Sequence, residues 1–452
     1  MARRIALVLL SLVVVVVVAA GGLLAWVAWF PDTLKPPLER ILSAQVGQPV
    51  RIDGSLDVDL GRVTTVELQG LRVAAPEWAQ ADNLAAVEQL RVGVDVWAYL
   101  RDGAVRLTEL DLERPRVALE RNAQGQTSWP SDPSATQAPD AGQTTGETPT
   151  LPTIESMTVT DGHVAYQDAV AEIAVEADVT SVAPQGGEPE RLRVDGKGTV
   201  RGEPLDLALR VGSPELLARS EAPLPIRGEV TLAGTRATLD GAVRDPKSLS
   251  GITLAFDLAS ENPRQLLALA GRPIDQALPP LTASARLTRP EEVFRLEELR
   301  ANWGESRVEG ELAYDPRPDR PTITGELRAP RLDLVALWPA LTGGAEEPPT
   351  GENPLSALSG YDADVWLATG EVRLPELTLS ETEAHVRLGP GGLTVDPLRV
   401  AMPEGRIVGR VATGPVDQQP LTAEVALNAD GINLAQAVPG DAGVTGVVNG
   451  EL

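Results

Sequence analysis

A mostly β fold is what this sequence predicts: a single N-terminal transmembrane helix, then an elongated, curled antiparallel sheet, a groove or an open barrel, with a few short helices. Three observations carry that reading. They are an apolar run near the N-terminus, period-two alternation through most of the remaining chain, and an internal repeat marked by glycine and proline.

The apolar run extends from Ile5 to Phe30 without a charge, interrupted only by Ser11, Gly21 and Gly22. Twenty-six helical residues at about 1.5 Å each would cover roughly 39 Å, more than the hydrocarbon core of a bilayer. Arg3 and Arg4 precede the run, while Asp32 and a net-acidic chain come after it. The expected topology is therefore a cytoplasmic N-terminus, with the bulk of the chain on the far side. Cleavage as a signal peptide, after Val18-Ala19-Ala20, is the competing reading. Against it, the run continues through Leu23, Leu24, Trp26, Val27, Trp29 and Phe30, beyond the length of a signal h-region. Gly21-Gly22 lacks the GxxxG spacing of helix pairing.

From Arg51 to Leu60, Ile52, Gly54, Leu56, Val58 and Leu60 alternate with charged or polar residues. Val66 and Leu68 continue the rhythm, and its phase flips across Gly70 to Leu71 and Val73, as a glycine-hosted bulge would require. Val105-Leu107, Leu110-Leu112 and Val117-Leu119 come next, with Pro115 at a turn or edge. Ile252, Leu254, Phe256 and Leu258 mark another strand, and Val308, Gly310, Leu312 and Tyr314 one more. Two helical stubs are expected, one with the stripe Leu38, Ile41 and Leu42, the other from Leu266 to Ala270.

Two compositional breaks divide the exported part. Residues 130–152 are rich in Pro, Ser, Thr, Gly, Asp and Gln and read as a disordered linker. Residues 342–354 form a shorter loop. The resulting organisation is 1–30 as cytoplasmic tip and anchor, 31–129 as an N-terminal β domain, 153–341 as a β-repeat region and 355–452 as a second one. A shift of 99 residues aligns Gly310 with Gly409 and Pro321 with Pro420, and Leu332-Asp333-Leu334 and Ile432-Asn433-Leu434 close the two units. Looser copies surround Gly202 and Gly241.

Composition limits the function classes. The 452 residues include no cysteine, 36 arginines against three lysines, and a formal net charge of −25. A disulfide framework is excluded, and so acidic a chain is a poor partner for nucleic acid and poorly suited to broad adhesion to anionic lipid headgroups. The apolar strand positions are Val, Leu, Ile and Ala, with 15 aromatics in all, and no long helix is present to cover them. Such a sheet closes on another layer or leaves an apolar groove suited to acyl chains. Candidate groove residues are Ile52, Leu56, Val58, Val105, Leu107, Ile252, Leu254, Phe256, Val308 and Leu312. A β-sandwich or barrel with a filled core is the plainer alternative.

Catalytic chemistry is nearly absent from the sequence. His163 and His385 are the only histidines, so Ser-His, Cys-His and His-metal constellations lack parts, and neither a catalytic residue nor a cofactor or metal is expected. Asp57-Val58-Asp59 and Asp362-Ala363-Asp364 read as outward strand positions rather than calcium ligands. Trp78 and Trp129 read as buried anchors.

The order of the N-terminal motifs carries a resemblance. Leu38-Glu39-Arg40-Ile41-Leu42 comes after the anchor, then Gly47-Gln48-Pro49-Val50-Arg51-Ile52-Asp53-Gly54 and Ala75-Pro76-Glu77-Trp78. Leu110-Asp111-Leu112-Glu113-Arg114-Pro115-Arg116-Val117, Gly125-Gln126-Thr127-Ser128-Trp129 and Asp161-Gly162-His163-Val164-Ala165-Tyr166 come next. The series resembles the AsmA family of bacterial envelope proteins, nearly end to end, with Ser128 where the family often has Asn. The resemblance implies a single-pass inner-membrane protein, periplasmic in bulk and related to bridge-like lipid-transfer proteins. It would handle phospholipid acyl chains between membranes, with a partner at the outer membrane or in the periplasm, and would not be an enzyme. An envelope scaffold supporting assembly of outer-membrane proteins is the alternative from another class. The strand pattern is still running at Val447 to Leu452, where family members continue through further strands, so the chain reads as a shortened member or an incomplete one.

Overall fold

The computed structural model describes residues 35–102, 106–129, 153–183, 191–213, 223–245, 250–269, 274–290, 292–337, 359–374, 378–402, 405–416, 422–433 and 447–451. The Ile5–Phe30 run, both compositional breaks and Val105 lie outside these residues. No helix among the described residues is long and apolar enough to cross a membrane. The chain is mostly β with few short helices, and it divides into two compact units: Met1–Leu232 with Ala242–Leu249, and Ala233–Gly241 with Ser250–Leu452.

The first unit opens with α1 (Lys35–Val46), β1 (Val50–Ile52), β2 (Leu56–Asp59), β3 (Val63–Ala74), β4 (Asn83–Asp95) and α2 (Val96–Asp102). It continues through β5 (Arg106–Glu113), β6 (Arg116–Arg121), β7 (Thr153–Ile154), β8 (Met157–Thr160) and β9 (Gly162–Asp168). A meander of β10 (Ile173–Val182), β11 (Arg191–Val200), β12 (Glu203–Gly212) and β13 (Leu224–Leu232) completes it. Its core is sealed. Leu42, Leu68 and Leu107 are fully buried together with Leu71, Leu90 and Val92, and each such side chain is worth about 1.5–3 kcal/mol of transfer free energy.

Helix α1 closes this core from above with Leu38, Leu42 and Val46, a spacing of one helical face. Ile41, expected in that stripe, is exposed, because position 41 falls a quarter-turn away from 42. The helix also satisfies the edge of the sheet: Ile52 N donates to Glu39 Oε1 and Val50 N to Ser43 Oγ, both at 2.8 Å. Two strand N–H groups that would otherwise stand unpaired are thereby covered. Gly70 has φ +68° and burial shifts phase there on β3 and opposite it on β4, but the β3–β4 register runs straight past it. The bulge expected at the glycine lies instead in the opposite segment between β1 and β2, where Ile52 faces Leu71 and Leu56 faces Leu68.

β14 (Thr235–Asp245) is divided between the units. The second unit carries β15 (Ser250–Ser260), α3 (Arg264–Leu269), β16 (Leu281–Thr288), β17 (Phe294–Trp303), β18 (Ser306–Asp315) and β19 (Thr322–Asp333). It is completed by β20 (Asp362–Arg373), β21 (Thr378–Gly389), β22 (Gly392–Met402), β23 (Gly405–Thr413), β24 (Ala423–Asn433) and β25 (Val447–Glu451).

Most ladders are antiparallel, and the expectation of an antiparallel sheet needs one correction. β5 pairs in parallel with β7 and β8, β6 with β9, and β19 with β20. A parallel pair needs a long connection, and the two compositional breaks supply it: residues 130–152 lie between β6 and β7, and 342–354 between β19 and β20. An arginine clasps each seam. Arg121 reaches Asp168 at 3.4 Å beside β6 and β9, and Arg320 reaches Asp362 at 2.6 Å while donating to the carbonyls of Ser359 and Tyr361.

Candidate functional site

The register of the second unit aligns its apolar positions. Leu254 lies opposite Leu287, Leu287 opposite Leu296, Leu296 opposite Leu312, and Leu312 opposite Gly325. Across the parallel seam the row continues through Val365, Val386, Val395, Val411 and Val425. At about 4.8 Å per strand it runs roughly 43 Å across the ladders from β15 to β24. A second row runs beside it: Leu299, Gly310, Leu327, Leu367, Ala384, Leu398, Gly409 and Leu427.

Apart from the buried Ala384, these side chains are half-buried rather than sealed, and Val425 is 51% exposed. They rest against their cross-strand neighbours, and among the described residues no packed layer lies above them. Toward one margin the face does close, where Ala329, Thr369, Thr382 and Val400 are buried in register. The reverse face is charged, with ion pairs such as Arg286–Glu298, Arg331–Glu371 and Arg399–Glu383 standing in solvent. Exposed pairs of this kind contribute little stability. Their effect is to keep that face wet.

Glycine lets the apolar face bend. A Cβ on Gly310 would stand 2.0 Å from the Glu326 carbonyl oxygen, and one on Gly409 would stand 2.3 Å from that of Ala426. Each lies opposite a leucine, Leu327 or Leu427, in the next strand. The neighbouring backbone therefore leans over the apolar side at the points where no side chain blocks it, and the leucine keeps the row continuous.

The repeat legible in the sequence recurs in the geometry. Leu287, Leu296 and Leu312 occupy the row positions that Val386, Val395 and Val411 occupy 99 residues later. The β17–β18 register slips between Leu296 and Leu299, and the β22–β23 register slips between Val395 and Leu398, again 99 residues on. A repeated bulge keeps both apolar rows on one face despite the extra residues. Asp333, in the sequence triplet that closes the first repeat, accepts from Val335 N and Ala336 N and so starts a helical turn.

The predicted groove residues separate into two groups. Ile52, Leu56 and Leu107 are sealed in the core beneath α1, and Val58 packs against that core. These four therefore sit under a covering layer, which corrects their expected place on an open face. Leu254 and Leu312 lie in the first row, and Ile252, Phe256 and Val308 are half-buried on the same strands. The β-repeat region expected around Gly202 holds the strands β10 to β13 of the first unit, but none of their residues is among the groove candidates, although Val175, Leu205, Leu207 and Leu209 are half-buried between exposed neighbours. Their signal was present as simple alternation.

The titratable groups are arranged as strand neighbours. His163 Nδ1 meets Asp178 at 3.1 Å, and His385 Nε2 meets Asp364 at 2.7 Å while its ring stacks on Trp366 at 4.1 Å. Each is a cross-strand contact on the polar side of its own strands, the first in the first unit and the second in the second unit. In the first unit an open recess of about 630 Å³ beside His163 includes Glu176, Asp178, Asp195, Asp206, Glu229 and Lys197. No group among the described residues could hold a metal ion. Asp57, Asp59 and Asp364 are exposed.

Burial pushes the Asp168 carboxyl up, but hydrogen bonds from Ala171 N, Tyr166 OH and Val170 N, with the Arg121 charge, outweigh it and leave the group below the ordinary carboxylate range. Trp129 is buried and faces Tyr166 at 6.3 Å, whereas Trp78, expected to be buried, is partly exposed, at the rim of a second recess.

Comparison with known proteins adds a lineage. The sequence profile described as AsmA family matches residues 1–253. AsmA family protein YhjG of Escherichia coli (strain K12) is 22% identical over 476 residues, covering 92% of this chain and 68% of that protein. No solved structure matches.

Proposed function

The chain belongs to the AsmA family, and on that premise we propose that it is an inner-membrane-anchored, periplasmic protein that handles phospholipid on its uncovered aliphatic face. One observation carries the reading. The row from Leu254 to Val425 is continuous over the ladders from β15 to β24 and half-open along its length. An acyl chain laid on such a row removes apolar surface from water on both partners, at about 0.8 kcal/mol per methylene. Headgroups stay in water beside the charged reverse face. Movement along the row is passive, because one aliphatic position resembles the next and no site holds the chain. Direction comes from a gradient or from a partner at the outer membrane or in the periplasm. Chemistry plays no part: the protein is not an enzyme in this reading, and it needs no cofactor.

A photo-crosslinking residue at Leu254, on the apolar row, and separately at Asp257, exposed on the other face, tests this in cells with radiolabelled phospholipid. Adducts at 254 and not at 257 are expected. Adducts at neither position, or equally at both, would sink the lipid reading and leave an assembly scaffold for outer-membrane proteins.

A further inference from the structure

We propose that the end of the first unit formed by Leu60, Val63 and Trp97 seats in the headgroup region of the bilayer that holds the N-terminal anchor. The inference rests on the anchored reading above. Its own ground is a cluster of apolar side chains that the core leaves outside: Leu60 is 40%, Val63 42% and Trp97 65% exposed.

The fold brings these three together at one end of one ladder. Val63 pairs with Asp95 as the last rung between β3 and β4, Leu60 lies in the turn just before it, and Trp97 comes two residues after Asp95. The platform is fixed in place. Asp95 Oδ1 accepts from Ala98 N at 3.0 Å, capping α2, and Ala98 is buried, so the short helix is held on one side while Trp97 faces outward. Arg62 is exposed between Leu60 and Val63, and Arg101 is exposed on the last turn of α2. Asp59, exposed beside Leu60, and Asp95 offset these two cations, so the seating rests on the apolar cluster and its tryptophan, which suit the boundary between acyl chains and headgroups.

Direction points the same way. Glu39 binds Ile52 N and the later helix residue Ser43 binds the earlier strand residue Val50 N, so α1 runs antiparallel to β1. The N-terminus of α1 therefore faces along the course of β1 and β2, toward Leu60 and Val63. The apolar run ends at Phe30, five residues before Lys35, which limits it to about 18 Å from the helix start. The described chain thus begins on the side of the platform, while the 75–82 loop with Trp78 lies at the other end of β3 and β4.

The absence of cysteine makes the test clean. Val63→Cys, Trp97→Cys and Leu60→Cys are labelled singly with an environment-sensitive fluorophore, with Val170→Cys, an exposed position in the β9–β10 turn, and Val16→Cys, within the apolar run, as references. The full chain is reconstituted in phosphatidylethanolamine–phosphatidylglycerol vesicles with or without spin-labelled lipid. Labels at 60, 63 and 97 should be quenched roughly twofold or more beyond the label at 170, by headgroup-level spin labels above deep ones. Quenching at 16 with 60, 63 and 97 behaving like 170 overturns the seating and leaves the anchor standing. No quenching at 16 overturns the anchored reading and this inference with it. Labels at 60, 63 and 97 that are shielded yet indifferent to spin-labelled lipid would mean that a second copy or another segment covers this end, which also overturns it.

Discussion

The strands β1 to β8 and the strands β15 to β24 share one rhythm in sequence and differ in what lies above it. In the first set, Leu68, Leu90 and Leu107 are fully buried, because α1 lays Leu38, Leu42 and Val46 across them. In the second, leucine and valine at the same period stay half-buried from Leu254 to Val411, and Val425 is exposed. Alternation specifies that a strand has two unlike faces. A covering element elsewhere in the chain decides whether the apolar face becomes a core or a surface.

The contrast can be broken most directly at Leu107. Leu107→Ala empties a site with no exposure and should cost about 2–5 kcal/mol, read from denaturant unfolding together with exchange protection on β4 and β5. A cost under about 1 kcal/mol there would mean the core is looser than its burial. Gly310→Ala probes the other region. Gly310 has φ +148° and a neighbouring carbonyl 2.0 Å from a new Cβ, so about 1–3 kcal/mol of local strain is expected, seen as faster amide exchange at Leu327. Unchanged exchange would show that the lean of β19 over β18 is not needed.

Acid should act at the clasp between β6 and β9. The folded Asp168 carboxyl titrates below its unfolded range, so its contribution is present above about pH 4 and is lost as pH falls through the depressed folded value. Amide signals of Val170 and Ala171 should therefore hold down to about pH 4 and broaden below it. Broadening that begins near neutral pH would point to another group. The smallest effect is expected at Leu254→Ala, under about 1 kcal/mol on stability, since the side chain is only half removed from water. Its consequence should show in lipid adducts instead, and a core-sized loss of stability would show that a further layer covers the row.

Much of the fold was legible in particular residues. The alternation of Ile252, Leu254 and Phe256 located β15, the flip at Gly70 located an irregularity, and Gly310 with Gly409 located a repeat that extends to its bulge. Parallel pairing was not legible, because β19 and β20 are joined through residues whose composition says nothing of where the chain returns. Seven residues are too few for helical periodicity, so α2 gave no signal. For the candidate site, Ile52 and Leu254 have equivalent sequence surroundings, and what separates them is the distant contact of α1 with β1. Charge alternation alone cannot encode that contact.

The parallel seam between β19 and β20 has a consequence for how such a chain could change length over time. On either side of it stand five strands, β15 to β19 and β20 to β24, whose apolar rows meet without a break. A duplication or loss of one such block, cut at its seams, leaves every remaining ladder in register and alters the row by roughly 24 Å. Distance along this face is therefore a heritable quantity that evolution can set in whole steps, like graduations on a ruler.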